Sequence, residues 1–177
     1  VGISDCFGSL GMFSFIPPKE AYPRARAAAK KALEIDPELG EAYASLGWIS
    51  MLYDWDWQAA ERQYQHAIQA NPDYVPAHLY YSMYLDIAGR FDESINEMKK
   101  AQELSPLESL VNSRLGLSLY MARRYDEAIE QNRKVIAMDP NFTIAYWYQA
   151  FTCATRKLWD EAIASSRKHV ELSEGAA

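Results

Sequence analysis

PLESLVNSRLGLSLYMARRYDEAIEQNRKVIAMDP, residues 106–140, holds two amphipathic helical patterns, a short break between them and a proline at each end. The arrangement recurs along the chain, with Pro37, Pro72, Pro106 and Pro140 spaced by 35, 34 and 34 residues. A repeat of this period indicates an array of similar supersecondary units. Because proline disfavours helix in the residue before it, each proline marks a boundary between helices. The pattern therefore predicts an all-α fold of tandem helix pairs.

The prolines also predict where each unit begins and ends. We expect a single domain over residues 1–177, with units at approximately 1–37, 38–72, 73–106, 107–140 and 141–174. Ser105 and Glu108 fit a capping box at the start of one helix. The extra residue of the longer interval is expected in the turn around Tyr53–Trp57. We expect the tail at 174–177 to fray.

Composition narrows the classes of partner. Hydrophobic residues make up 49% of the chain, enough for a sizeable core, while the net charge of −6 and the pI near 5.1 argue against nucleic acid as the main partner. No apolar stretch is long enough to span a bilayer, so we expect no membrane role. The chain begins at Val1 rather than methionine and within an apolar pattern, which predicts a segment of a longer protein.

Residues that could carry chemistry are scattered. His66, His78 and His169 lack the spacing of a metal site, and Cys6 and Cys153 form no motif, so we expect two free, buried cysteines. No glycine-rich loop opens a helix, and no nucleophile motif is present. We therefore predict no metal, no cofactor and no enzymatic activity.

Paired carboxylates recur at one position of the repeat. The pairs are Asp92–Glu93, Asp126–Glu127 and Asp160–Glu161. Each pair falls in the first turn of the second helix of its unit, where negative charge interacts favourably with the helix dipole. The pairs therefore have a structural explanation, which we favour over a catalytic one.

The repeated small and aromatic residues carry a family resemblance. Two units share Leu-Gly in the first helix, an aromatic and an alanine at the start of the second, and a closing proline: Leu46-Gly47 with Trp57, Ala60, Tyr64, Ala67 and Pro72, and Leu115-Gly116 with Tyr125, Ala128 and Pro140. This pattern resembles the tetratricopeptide repeat (TPR) family. The resemblance implies about five units stacked into a right-handed superhelical α-solenoid. The array is also similar to those attached to bacterial signalling and transcription regulators, which implies a bacterial, cytoplasmic protein.

The resemblance also implies a binding surface, the concave groove lined by fixed positions of each first helix. Mapped onto this chain, the principal groove residues are Trp48, Met51, Leu79, Met83, Leu117, Tyr120, Trp147 and Phe151, flanked by Ala44, Leu52, Asp86, Ile87, Ser113, Met121 and Thr155. This set is mostly apolar. It lacks the Lys, Asn and Arg residues with which some family members clamp the C-terminal carboxylate of a chaperone, so we argue against that ligand class.

Two functions fit an exposed apolar groove. In the first, the chain is a non-catalytic scaffold that binds a protein or peptide, for example an amphipathic helix, in the groove. In the second, the chain is a self-associating or regulatory repeat region of a larger bacterial signalling protein, and the apolar residues pack against neighbouring helices or a second copy. Both alternatives remain open from the residues alone.

Overall fold

The computed structural model describes residues 1–174, and every regular element in that range is helical. The ten α-helices described are α1 (Gly2–Met12), α2 (Pro18–Ile35), α3 (Gly40–Ile49), α4 (Trp57–Ala70), α5 (Val75–Ile87), α6 (Phe91–Leu104), α7 (Ser109–Met121), α8 (Tyr125–Met138), α9 (Thr143–Thr155) and α10 (Trp159–Glu174). A π-helical turn, Ser50–Asp54, extends α3. The all-α prediction is confirmed. Most of the tail predicted to fray lies outside the described residues.

The helices form two compact units, Val1–Tyr84 and Leu85–Ala177, and the division falls within α5. In the first unit α1 packs on α2 and α3 on α4; in the second α7 packs on α8 and α9 on α10. Small side chains at the contacts let these helices approach closely. Ala25, Ala60, Ala67 and Ala128 are fully buried. Antiparallel packing of consecutive helices, as the repeat pattern predicts, therefore builds the core of each unit.

The turns between α3 and α4, α5 and α6, α7 and α8, and α9 and α10 share a left-handed residue at one repeat position. Trp55, Gly89, Arg123 and Lys157 adopt the left-handed conformation, at intervals of 34 residues. In three of these turns the next residue's N–H bonds to the carbonyl five residues earlier, as from Arg124 to Leu119 at 2.9 Å. This is the Schellman ending of a helix, which favours glycine at the left-handed position. The following helix then begins at an aromatic residue.

The extra residue of the longer interval lies inside a helix, not in the turn where it was expected. The π-helical turn at Ser50–Asp54 absorbs it, and the N–H of Asp56 reaches back to the Ser50 carbonyl at 3.0 Å. One inserted residue converts a single α-turn into a π-turn and leaves the flanking helix intact. Side chains after the insertion are therefore displaced by one position relative to the other units.

The proline dipeptides lie in turns that precede the helices. Helix α7 begins at Ser109, and its N-cap Glu108 makes no side-chain capping bond, so the predicted capping box is wrong. The Ser105 carbonyl instead accepts from the Glu108 N–H at 3.2 Å. Asp139 accepts from the N–H two residues later, at 3.1 Å, which stabilises the turn through the side chain. The boundary is where the prolines predict it, but two turn residues separate each proline from the helix that follows.

A hydrogen bond that sequence reading missed ties each turn to the helix that follows. The side chain six residues after each proline bonds to that proline's carbonyl: Tyr43 to Pro37 at 3.1 Å, His78 to Pro72 at 2.7 Å, Asn112 to Pro106 at 2.9 Å and Tyr146 to Pro140 at 3.0 Å. Proline lacks an N–H but keeps its carbonyl, which needs a partner when it is screened from water. Three chemically different side chains meet that need at one repeat position.

This role makes a prediction for His78, which is 2% exposed. Replacing His78 with leucine should lower the free energy of unfolding by about 1–3 kcal/mol, because the Pro72 carbonyl loses its donor. His78→Asn should be markedly less destabilising, since asparagine makes the same bond at position 112. Urea unfolding followed by circular dichroism measures both. Equal losses for the two variants would show that shape, not the hydrogen bond, matters at this position.

Candidate functional site

The second unit carries a cluster of three partly exposed rings and one leucine on α7 and α9, which we call the aromatic surface: Tyr120, Trp147, Phe151 and Leu117. Trp147 is 54% exposed, and the other three are half-buried. The Phe151 ring contacts both Tyr120 and Trp147 edge to face, with ring centroids 4.7 and 5.9 Å apart. Such contacts hold the rings in a defined arrangement while one face of the cluster stays open to solvent.

Helical spacing explains why these side chains meet. Leu117 and Tyr120 are three residues apart on α7, and Trp147 and Phe151 are four apart on α9, so each pair shares one face of its helix. Helices α7 and α9 lie against each other, which brings the two faces together. The Tyr120 hydroxyl also lies 3.4 Å from Thr155 Oγ1, which fixes the ring at the edge of the surface.

The first unit presents fewer of its predicted groove residues. Trp48, Leu79 and Met83 are half-buried. The Trp48 ring packs on Tyr80 with centroids 4.8 Å apart, and a Cβ at Gly8 would lie 3.9 Å from the indole, so α1 and α5 both flank it. Much of this tryptophan therefore contributes to packing within the unit, and less of it is open than of Trp147.

Met51 lies in the core instead of on a surface, because only 1% of it is exposed. The π-helical turn is the physical reason. Because of the inserted residue, Met51 lies four residues before the left-handed turn residue of its unit. Three buried core residues of later units occupy that same position: Leu85, Leu119 and Cys153. Mapping by the start of the helix, as the family pattern does, misses this displacement.

Three flanking positions of the predicted groove are also buried: Ala44, Asp86 and Ser113. Asp86 belongs to a polar network that the sequence did not reveal. Its Oδ2 accepts from Arg114 Nη2 and from Ser118 Oγ, both at 3.0 Å, and Ser94 Oγ donates to Ser118 Oγ at 2.9 Å. Burial raises the pKa of Asp86, while Ser94, Arg114 and Ser118 oppose that rise. The network lies inside the second unit and leaves Asp86 little access to a ligand.

The histidines and cysteines have structural surroundings. His78 bonds to a backbone carbonyl, as does His169 with the Thr143 oxygen at 3.0 Å. Within residues 1–174 no three His, Cys, Asp or Glu side chains come together as a metal-binding group. Both cysteines are free, and Cys153 is buried as expected, but Cys6 is exposed, so that part of the prediction is wrong. The buried face of α1 is formed by Ser4, Gly8 and Gly11, and Cys6 lies on a different face.

The two thiols should therefore react at very different rates. Burial, with the nearby Glu161 carboxylate, raises the pKa of Cys153 to about 11, so this thiol stays protonated at neutral pH. Because the thiolate is the reactive form, we expect Ellman's reagent to titrate one thiol quickly in the native protein and the second only after denaturation. A Cys6→Ser variant, which should show no fast phase, assigns the signal. Fast release from that variant would contradict the burial of Cys153.

No helix within the described part of the chain is both long and apolar enough to cross a membrane.

Solved structures with the same arrangement of helices are similar at low sequence identity. The crystal structure of MamA matches with a TM-score of 0.73 at 23% identity, over 90% of this chain and 92% of that one. Pseudomonas aeruginosa pilF matches with a TM-score of 0.75 at 20% identity, over 96% and 76%. YrrB, titled a TPR protein with an unusual peptide-binding site, matches with a TM-score of 0.67 at 20% identity, over 96% and 82%. These likenesses establish the fold.

Sequence comparison identifies the family directly. No curated protein matches the chain at a significant level. The family model described as tetratricopeptide repeat, however, matches residues 52–109 and 112–177, which is well over half of the chain. The resemblance drawn from the repeated prolines and small residues is thus confirmed, and the ten helices of residues 1–174 are the number that about five units require. The chain belongs to the tetratricopeptide repeat family, whose members serve in general as scaffolds for protein–protein interaction.

Proposed function

We propose that this chain is a non-catalytic scaffold that binds a protein or peptide segment on the aromatic surface. The exposure of Trp147 within a ring cluster carries the proposal, because indole and phenyl rings are the side chains that most often anchor a partner. An amphipathic helix suits the surface, since its apolar side chains at helical spacing could pack between the rings of α7 and α9. The solved YrrB structure, whose title names a peptide-binding site, supports a peptide ligand.

The proposal also covers the first unit of the chain and the cellular location of the protein. Trp48, Leu79 and Met83 occupy the corresponding repeat positions there and remain proposed contacts, whereas the buried Met51 is left out. The proposal includes action in the bacterial cytoplasm, as the resemblance to repeat arrays of bacterial regulators implies. It includes no nucleic acid partner and no cofactor.

Selection from a displayed library of random dodecapeptides tests the proposal. We expect enriched peptides whose binding weakens at least about tenfold in Trp147→Glu and in Phe151→Glu, because a buried carboxylate beside the ligand would lack a partner. Lys134→Glu, a charge change on an exposed lysine of α8, is the control and should leave binding unchanged. If no peptide is enriched, or if all three variants bind equally, the aromatic surface is not the docking site.

A second observation favours self-association as the alternative function, alone or as a regulatory region of a larger bacterial signalling protein. Trp159, Ile163 and Val170 are each at least half exposed on α10. Their spacing of four and seven residues places them on one side of the helix, where they form an apolar stripe. A stripe of this kind can pack against a second copy of the chain.

Light scattering on a size-exclusion column distinguishes the two functions. Wild type, Ile163→Glu and Trp147→Glu should be compared over a wide range of concentration. A dimer that only Ile163→Glu dissociates would assign self-association to α10 and leave the aromatic surface free. A dimer that Trp147→Glu dissociates would mean that the aromatic surface binds a second copy. A monomer at every concentration would exclude self-association of this chain.

A further inference from the structure

A cleft of about 170 Å³ lies beside the aromatic surface, at the turn between α7 and α8. The residues that line it are Arg123, Arg124, Tyr125, Asp126, Glu127 and Arg156. Three arginines and two acidic residues therefore surround one small volume, and their charges sum to one net positive charge. In a chain of net charge −6 this is a local reversal of sign.

The two carboxylates already have partners, and the third guanidinium does not. Arg124 binds Glu127 with two bonds, at 2.7 and 2.6 Å, and Arg156 binds Asp126 with two bonds, at 2.9 and 3.3 Å. The Arg123 side chain makes no hydrogen bond or ion pair with any residue that the structure describes. Its charge is therefore available to a ligand.

The backbone holds Arg123 in a conformation that arginine disfavours. Its φ is +61°, at the repeat position where Gly89 has +75°. A side chain in this left-handed region costs about 1 kcal/mol relative to glycine. The turn would be more stable with glycine, yet it presents a cation at the mouth of the cleft. Trp55 and Lys157 have the same conformation at this repeat position, so the conformation belongs to the turn, and what distinguishes Arg123 is its place at the cleft.

Ring contacts connect the cleft to the aromatic surface. Tyr125 lines the cleft, and its ring centroid is 5.4 Å from that of Tyr120. Tyr120 in turn contacts Phe151, which contacts Trp147. A ligand lying on the rings could therefore extend over Tyr125 into the cleft that Arg123 lines. An apolar platform with an adjacent unpaired guanidinium favours a ligand that is both apolar and acidic.

We propose that the docking segment of the partner carries an aspartate or glutamate side chain that binds Arg123, next to the apolar side chains that pack on the aromatic surface. This inference rests on the proposed function and specifies the chemistry of its partner. A side-chain carboxylate fits better than a phosphate group, because the cleft has one net positive charge and two carboxylates of its own, which would repel a dianion. The site differs from a carboxylate clamp in the groove, because its arginine belongs to the turn.

The dodecapeptide selection supplies the probes for the test. We expect the enriched peptides to contain Asp or Glu near an aromatic or aliphatic residue. Arg123→Gly removes the charge and suits the positive φ, so the fold is preserved. It should weaken binding about tenfold, the value of one charge-assisted hydrogen bond. Lys134→Gln, which removes the same charge from an exposed position on α8, should leave binding unchanged.

Variants of the peptide complete the test. Replacing its acidic residue by the amide should weaken binding to wild type about tenfold, but should have little effect on binding to Arg123→Gly, because the two changes remove one interaction. Replacing the acidic residue by phosphoserine should not strengthen binding. Peptides that bind through Trp147 and Phe151 but are indifferent to Arg123→Gly would overturn this inference and leave the proposed function standing. Tighter binding of the phosphoserine peptide would also overturn it, and failure to enrich any peptide would overturn both.

Discussion

Replacing Arg114 with methionine is expected to lower the free energy of unfolding by about 3–5 kcal/mol, because it leaves the Asp86 carboxylate buried without its counter-ion. Asp86 is 6% exposed, and its Oδ1 has no hydrogen-bond partner in the described structure. Arg114 is thus the main source of compensating charge, with Ser118 supplying one hydrogen bond. Urea unfolding monitored by tryptophan fluorescence measures the change.

The loss should depend on pH in a defined direction. Burial raises the pKa of Asp86 above its value of 3.8 in an unfolded chain. The folded state therefore holds the proton to a higher pH than the unfolded state, so this residue's contribution to stability falls as pH rises from 3.8 through the folded pKa, and is constant above it. Without Arg114 the folded pKa rises further, and the decline extends to higher pH. Arg114→Met should consequently be least harmful in mild acid.

Two further variants make the Arg114 result interpretable. Asp86→Asn combined with Arg114→Met should recover much of the lost stability, because no buried charge remains. Arg133→Met removes an arginine from an exposed pair with Glu161, and it should change stability by only about 0–1 kcal/mol. If Arg114→Met lowered the free energy of unfolding no more than Arg133→Met, or if its effect did not depend on pH, the result would contradict a stabilising role of Arg114 as the counter-ion of buried Asp86.

Gly47→Ala is expected to lower the free energy of unfolding by about 2–3 kcal/mol, although alanine is the better helix former. A Cβ at this position would lie 2.6 Å from Tyr64 Cε1 and 2.8 Å from Cδ1. The Tyr64 side chain is fully buried, so its ring cannot move aside without displacing its neighbours. Differential scanning calorimetry of the variant should show a clearly lower midpoint of unfolding.

Gly8→Ala is the matched control, since it makes the same change in helix α1 of the same unit. Its new Cβ would come no closer than 3.9 Å to Trp48, which is ordinary contact, so we expect no loss of stability. Combining Gly47→Ala with Tyr64→Met should restore part of the loss by removing the ring. A Gly47→Ala variant as stable as wild type would show that the ring adapts, contrary to its tight burial.

Much of the architecture could be predicted because the repeat signals are local. Proline positions, small residues at helix contacts and aromatic residues at helix starts act on neighbours a few residues away, and they recur in most of the units. The acidic pairs also behaved as expected, since Asp126 and Glu127 lie in the first turn of α8. The failed capping box at Ser105 was a finer prediction, and it depended on the exact first residue of α7.

The candidate site was predicted less well, since accessibility depends on neighbours distant in sequence. Trp147 and Met51 both occupy predicted groove positions, yet one is half exposed and the other is in the core. For Met51 the cause is a single inserted residue, which a π-turn absorbs. The Asp86–Arg114 pair and the cleft at Arg123 each bring together residues 28 or more positions apart in the sequence. No local sequence pattern predicts such contacts.

The family, the helix pairs and the boundaries between them follow from the amino-acid sequence, because hydrophobic periodicity, glycine and proline act through the local backbone and repeat at a regular spacing. The exposure of individual side chains, the pairing of charges and the unpaired guanidinium of Arg123 follow instead from the packing of the helices. Those properties arise when helices pack, because burial and pairing depend on the atoms that a neighbouring helix brings within a few ångströms.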